Sequence, residues 1–472
     1  MWKSWTTWGI GCCCAVLVVQ SAIGADDQPP VKNARAKPQT YQFPIVPDKP
    51  FAEVMNSDVS EKPKYQNAMA ELMNQRYDLA DKPSPVKMSA GRKSVQWGVR
   101  VRTYEGGDWD ALSQMTPEQI KEQNLFPGGF RPLPHAKNVT GGMVFPAEQI
   151  QAIHDLEARD LQRFDIDFDL PKHLTPEFPP PLFLTTHPEL GDVSQGKVLS
   201  IKNYYELLEG KITPVQMEGM RLLLTPFPQQ QFNQTSDRKV KEPQLGVSCL
   251  DCHTNGHTNA AFHQNPDTRP QDERLRLDTV SLRGLFNQQI HGSKRSLRSV
   301  EDFTEFEQRT AYFDGDHVIA AKKGLNLPDR ASQVAMMAQM QNMIDFPPAP
   351  KLDVLGRLIP EKATPEELHG EQLFYGKAKC SICHPGPSFL DNQMHDLHLE
   401  RFYTPEVILD QHNIADGPIK SFTLRGIKDS PPYLHDGRLM TLDDTVEFFN
   451  LVLSLKLTPQ EKLDLTAFLR CL

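Results

Sequence analysis

A mainly α-helical chain with two related halves is predicted by three features of the sequence. Two Cys-x-x-Cys-His runs, CLDCH at 249–253 and CSICH at 380–384, stand far apart in the chain. A threonine-capped helix start precedes each run, and a pair of similar stretches follows them. With 472 residues the chain is long enough for two or three domains rather than one core.

The elements follow in chain order. The opening, MWKSWTTWGIGCCCAVLVVQSAIGADDQPP, has one lysine, an apolar run from about Trp8 to Val19, then small residues before Asp26. This layout predicts a secretory signal peptide over 1–25 and a periplasmic protein, with an uncleaved anchor as the alternative. The apolar run is short for a membrane span and no later stretch approaches one, so no transmembrane span is expected in the mature chain. Cys12, Cys13 and Cys14 sit inside the leader and carry no chemistry there. A net charge of −9 speaks against nucleic acid as a partner.

Residues 26–199 predict an N-terminal extension of mixed or irregular structure. It opens on a proline-rich stretch to Phe51, followed by a helix to about Tyr77. SVQWGVRVRTY reads as strands, a further helix follows Pro146, and LPKHLTPEFPPPLFLTTHP reads as a linker or strap. No motif here carries recognisable chemistry. Trp97, Tyr104 and Trp109 suit core packing or a binding surface, and His135, His154, His173 and His187 offer ligands across a domain boundary.

Five cysteines remain beyond the leader: Cys249, Cys252, Cys380, Cys383 and Cys471. Export alone would suggest disulfides. The histidine directly after each close pair points instead to c-type haem attachment, in which two thiols bond the haem and the imidazole takes the proximal iron position. A four-cysteine zinc site is the alternative, but its pairs would lie about 15–20 residues apart. Two covalently bound haem c groups are therefore expected, with His253 and His384 as metal ligands. Cys471 is left without a task.

A first haem domain is expected over 200–350 and a second over 351–472. ITPVQMEGMRLL and ATPEELHGEQLF each place proline after a capping threonine, with Gln216 or Glu367 closing a capping box. Gly219 and Gly370 then fall at matching positions, where a missing side chain lets another helix approach closely. LTPQEKLDLTAFLRCL starts the same way and reads as a closing helix.

The stretches TVSLRGLFNQQIHGSKRSLRSVEDFTEFE and SFTLRGIKDSPPYLHDGRLMTLDDTVEFF share Leu-Arg-Gly, a histidine near a glycine (His291, His435) and a helical acid-rich run. Arg283 and Arg425 match haem propionates bidentately or brace their loops; the sequence reads either way.

On these residues the chain resembles, over roughly 211–472, the bacterial dihaem cytochrome c peroxidase superfamily, which includes the methylamine dehydrogenase maturation enzyme. The most specific stretch is SFTLRGIKDSPPYLHDGRLMTLDD. The resemblance implies two cytochrome c-type haem domains packed together, the first haem meeting hydrogen peroxide and the second passing it electrons. It also implies a calcium ion near the backbone of Ser430 and Pro432; a small electron-donor protein (cytochrome c or copper protein) is the expected partner, and a homodimer and a monomer both stay open.

Three positions depart from that pattern. Phe449 stands where the family places a methionine or tyrosine ligand, with Met440 as a substitute or as core packing. His291 stands near the family's inter-haem tryptophan. The acid beside the first haem is not matched directly; among Glu307, Asp314 and Asp316, Glu307 is chosen because it corresponds to Phe449 in the internal repeat. His257, His263 and His291 all follow His253 as ligand candidates, and His263 is nearest to the family's loop histidine. The expected function is a cytochrome c peroxidase-like oxidoreductase with Glu307, His263 and His291 as catalytic candidates. A dihaem electron-transfer cytochrome without catalysis, or a maturation-type enzyme that oxidises a partner protein, are the alternatives.

Overall fold

The computed structural model describes residues 50–105, 107–136, 143–161, 170–226, 228–229, 244–245, 247–265, 275–295, 297–313, 330–408, 411–412 and 416–472. The expected signal peptide and the proline-rich stretch up to residue 49 lie outside them, as do Asp314 and Asp316. Val46–Leu472 forms one compact unit. The described chain is largely helical, with strands of two to five residues.

The capping signals produce the helices they predict. Thr213, Thr364 and Thr458 cap the helices Pro214–Leu224, Pro365–Tyr375 and Pro459–Leu469, each with a closed capping box. The Pro214–Leu224 helix crosses Ala335–Gln341 at Gly219, where a Cβ would lie 2.1 Å from Met336 O. Pro365–Tyr375 crosses Pro459–Leu469 at Gly370, where a Cβ would lie 2.0 Å from Asp464 O. Neither backbone can yield without moving a helix. Gly370→Ala is therefore expected to cost at least about 1–3 kcal/mol by overpacking, read as a fall in the urea midpoint; an unchanged midpoint would show that the two helices slide apart freely.

The internal repeat is structural. Gly284 (φ 76°) and Gly426 (φ 70°) each open a single 3-10 turn in the left-handed region that favours glycine. Isolated bridges follow at His291↔Leu297 and Tyr433↔Leu439, and then the helices Val300–Phe313 and Leu442–Val452. His291 thus holds the place of Tyr433, and not that of His435. Glu307 holds the place of Phe449.

Met143–Val144, Phe262–Asn265 and Leu275–Asp278 form a three-stranded antiparallel sheet with Phe262–Asn265 in the middle. Paired residues share a face, so Met143, His263 and Leu277 lie on one side and Val144, Phe262 and Asp278 on the other. Met143 belongs to the core formed around residues 182–344, and Val144 and Phe262 to the core formed around residues 358–472. The sheet separates the two cores.

Residues 50–199 contribute to both cores. The helix Phe51–Arg76 and the Ala147–Glu157 helix stand where the sequence places them, and Ser94–Gln96 pairs with Pro83–Lys87. Much of the remainder is irregular because its backbone donors meet carboxylates instead of a strand ladder. Ser89 N donates to Asp429 (3.0 Å), Gly98 N to Asp443 (3.1 Å), Arg100 N and Val101 N to Asp444 (2.6 and 2.9 Å), and Leu133 N to Asp436 (2.8 Å). All four acids belong to the second repeat.

Candidate functional site

The first Cys-x-x-Cys-His motif is a single helical turn, Cys249–Cys252, closed by Asp251 accepting from Ser248 N at 2.7 Å. Arg159 grips both oxygens of Asp251 at 2.8 Å, and both residues are buried. Sequence reasoning missed Arg159, which lies in the extension without a motif of its own. His253 follows the turn, and its Nδ1 meets Val280 O at 2.8 Å. A carbonyl only accepts, so Nδ1 carries the proton and Nε2 keeps its lone pair. Burial lowers the His253 imidazole to about 4, so at neutral pH the ring is uncharged and able to bind a metal.

The second motif repeats this arrangement on a 3-10 turn, Cys380–Ile382, entered through Lys379 in the left-handed region. His384 Nδ1 donates to Phe389 O at 3.0 Å, and burial again lowers its pKa. Burial pushes the Cys249 and Cys380 thiols up to about 12. All five described cysteines are free of disulfides. A cavity of about 640 Å³ opens on Cys380, Cys383 and His384, with an apolar wall that includes Phe374, Leu442, Phe448 and Leu469. Two thiols, one open imidazole nitrogen and an apolar slot fit a c-type haem.

The other site residues are placed as follows. Phe449 lines this cavity, whereas Met440 is packed in the second core. Met394 also lines it, a candidate ligand that sequence reasoning missed; its strand, Met394–His395, pairs with Ile419–Lys420. Arg283 and Arg425 are both in the wall. Arg283 is held by Asp429 (3.1 Å) and Pro181 O (2.8 Å), and Arg425 by Leu472 O (3.1 Å) and Pro347 O (3.3 Å).

Around the first motif, the charge of Glu307 reaches the Cys249 thiol, second only to burial in raising it. His263 faces the first core from the separating sheet; burial, and then the charge of His253, lowers its imidazole to about 3. His257 is committed elsewhere: Nδ1 meets Ser281 Oγ at 2.8 Å and Nε2 meets Asp429 O at 3.0 Å, tying the first motif's loop to the second repeat. His291 is buried; burial, and then the charge of Lys420, lowers its imidazole to about 4.

Asp278, on the opposite sheet face from His263, lines the cavity together with Ser430 and Pro432. Its Oδ1 is buried without a hydrogen-bond partner among the described residues, and burial raises its carboxyl well above the usual range. A buried carboxylate oxygen without a partner is the kind of donor a hard cation such as calcium takes. No described helix is long and apolar enough to cross a membrane.

No family model matches the sequence. Cytochrome-c peroxidase IdrP1 of Denitromonas iodatirespirans is 29% identical over 150 residues, covering 23% of this chain and 40% of that protein. The methylamine utilization protein MauG of Methylorubrum extorquens is 30% identical over 122 residues, covering 22% of this chain and 33% of that protein. The chain thus spans about two fifths or less of the length of these curated relatives. Among solved structures, a chain of Kuenenia stuttgartiensis hydrazine synthase matches at TM-score 0.37 and 18% identity, over 58% of this chain and 93% of that one. A MauG-like protein associated with microbial copper homeostasis matches at TM-score 0.37 and 17% identity, over 56% and 90%. The curated relatives define a class, oxidoreductases of the c-type haem kind. More particularly, part of this chain is homologous to the bacterial dihaem cytochrome c peroxidase and MauG family.

Proposed function

We propose that the chain is an exported dihaem c-type oxidoreductase that reduces hydrogen peroxide with electrons from a small donor protein, a cytochrome c or a copper protein. The observation that carries this reading is the geometry common to both motifs: a tight Cys-x-x-Cys turn followed by a histidine whose Nδ1 is fixed on a carbonyl, so that Nε2 keeps its lone pair. When bound, the two haems supply one-electron redox chemistry at iron. Cys249 and Cys252 would hold one and Cys380 and Cys383 the other, with His253 and His384 as proximal ligands.

The chain's own residues supply position and protons. Reducing peroxide to two waters consumes two protons; beside the first motif Glu307 is the group to hold and deliver them, with His263, uncharged at neutral pH, as a neutral imidazole that relays a proton. His291, next to Lys420, is a relay candidate at the boundary of the halves. Asp278, with backbone near Ser430 and Pro432, would hold a calcium ion. Met394 in the cavity wall favours a second reading, an electron carrier with both irons six-coordinate.

Mass spectrometry should show two covalent haems, with Cys380→Ala/Cys383→Ala retaining one. A half-reduced sample should show a high-spin haem and consume peroxide. Two low-spin haems in every redox state would establish the carrier instead, and zinc in place of iron would remove both readings.

A further inference from the structure

Lys420 is a buried cation without an anion. It is 2% exposed, lines the cavity of the second motif, and lies on the Ile419–Lys420 strand. Its Nζ donates to Ser421 O at 3.0 Å, reaches Gln288 Oε1 only at 3.5 Å, and stands 4.6 Å from the centre of the Phe422 ring. No carboxylate among the described residues makes an ion pair with it. Asp391, the acid whose charge reaches it, is bonded through its own oxygens to Ser421 Oγ and to His395 Nε2.

The two arginines of this wall, buried Arg283 and half-buried Arg425, are differently placed. Arg283 is paired with Asp429, and Arg425 is bonded to two carbonyls. An ammonium group taken out of water with one good acceptor is costly, by several kcal/mol for an ion without a partner. Burial correspondingly depresses the Lys420 ammonium to about 8. The cavity it lines has an apolar wall of Phe374, Leu442, Phe448 and Leu469 and also holds Cys380, Cys383 and His384. A ligand that fits such a slot and carries carboxylates at one edge would relieve the burial of Lys420.

We propose that Lys420, with Gln288 reaching across from the first repeat, anchors a propionate carboxylate of the haem attached at Cys380 and Cys383. The proposal rests on the haem reading of the second motif and replaces Arg425 as the first counter-charge for that haem. It also orients the group. Lys420 N donates to Ser293 O at 2.8 Å, and Gln289 N to Asn392 Oδ1 at 3.0 Å, so the anchor is at the seam between the halves. The propionate edge of the second haem therefore faces the first repeat, near His291.

The test uses the holoprotein, with haems counted by mass spectrometry before each measurement. In Lys420→Met, loss of a buried positive charge should move the second haem's reduction equilibrium about tenfold toward the oxidised form, a fall of about 59 mV for a one-electron couple. Lys420→Arg keeps the charge and should restore the potential. Propionate bending bands in the resonance Raman spectrum should shift for one haem in Lys420→Met. An unchanged potential and unchanged bands in a Lys420→Met protein with both haems would overturn the anchor. Should that variant fail to accumulate, Lys420→Arg decides: its forked head should shift the bands, and wild-type bands would overturn the proposal. Absence of haem at the second motif in the wild-type protein would overturn the haem reading itself, a separate outcome.

Discussion

Replacing Asp251 by alanine is expected to lower the stability of the chain by about 3–5 kcal/mol, because it breaks a buried ion pair and leaves the other partner's charge behind. Arg159 would keep its bond to Glu157 at 2.7 Å while losing two bonds of 2.8 Å to Asp251. Ser248 N would lose its acceptor in the same step, so the turn that presents Cys249 and Cys252 would loosen. Urea unfolding should show the loss, and mass spectrometry should show haem missing from the first motif while the second stays loaded. Replacing both partners with apolar residues, Arg159→Met with Asp251→Leu, should recover only part of the stability, since Glu157, whose buried side chain pairs with Arg159 at 2.7 Å, is then left without its counter-charge. A loss below about 1 kcal/mol in Asp251→Ala would place this pair with ordinary surface ion pairs and remove Arg159 from the account of the first site.

The capped helices were legible in the sequence because their signals are local: a threonine, a proline and a Gln or Glu within four residues specify where each begins. The close crossings at Gly219 and Gly370 were legible for the same reason, since a glycine inside a strong helix former needs a packing explanation. The internal repeat was legible as well, although the landmark histidines misled: the Leu-Arg-Gly match and the bridges alike pair His291 with Tyr433. The separating sheet was not legible. Its strands are two and four residues long and draw on segments more than a hundred residues apart, so no periodicity marks them.

The Arg159–Asp251 pair, the acids that receive amides from residues 89–133, and the burial of Lys420 were hidden for a related reason. Each joins the extension to a repeat, or one repeat to the other, and none has a local pattern. The extension looked irregular because its donors find carboxylates far along the chain, which sequence reading scores as the absence of structure. The haem motifs lay at the opposite extreme, with thiol, thiol and imidazole specified by five consecutive residues.

Phe449→Met is expected to convert the second haem to a low-spin form with a raised reduction potential. The ring lines the cavity that holds Cys380, Cys383 and His384, and it sits on the Leu442–Val452 helix, where the backbone is fixed by a closed capping box at Thr441. Phe448 beside it is buried and meets Phe130 edge-on at 5.3 Å, so the helix cannot roll to withdraw position 449 from the wall. Phenylalanine gives apolar cover without a lone pair, whereas a thioether in its place can ligate and favours the ferrous state. The exchange keeps an apolar, adaptable side chain and should cost less than about 1.5 kcal/mol. Visible and electron paramagnetic resonance spectra of the oxidised protein, with a redox titration, read the change. Slower carbon monoxide binding at that haem should accompany it, because a ligand must now be displaced. A Phe449→Met spectrum identical to wild type would mean that another wall residue already occupies the position. Met394 is then the first to replace, and Met394→Leu should produce the high-spin signal that Phe449 was expected to provide.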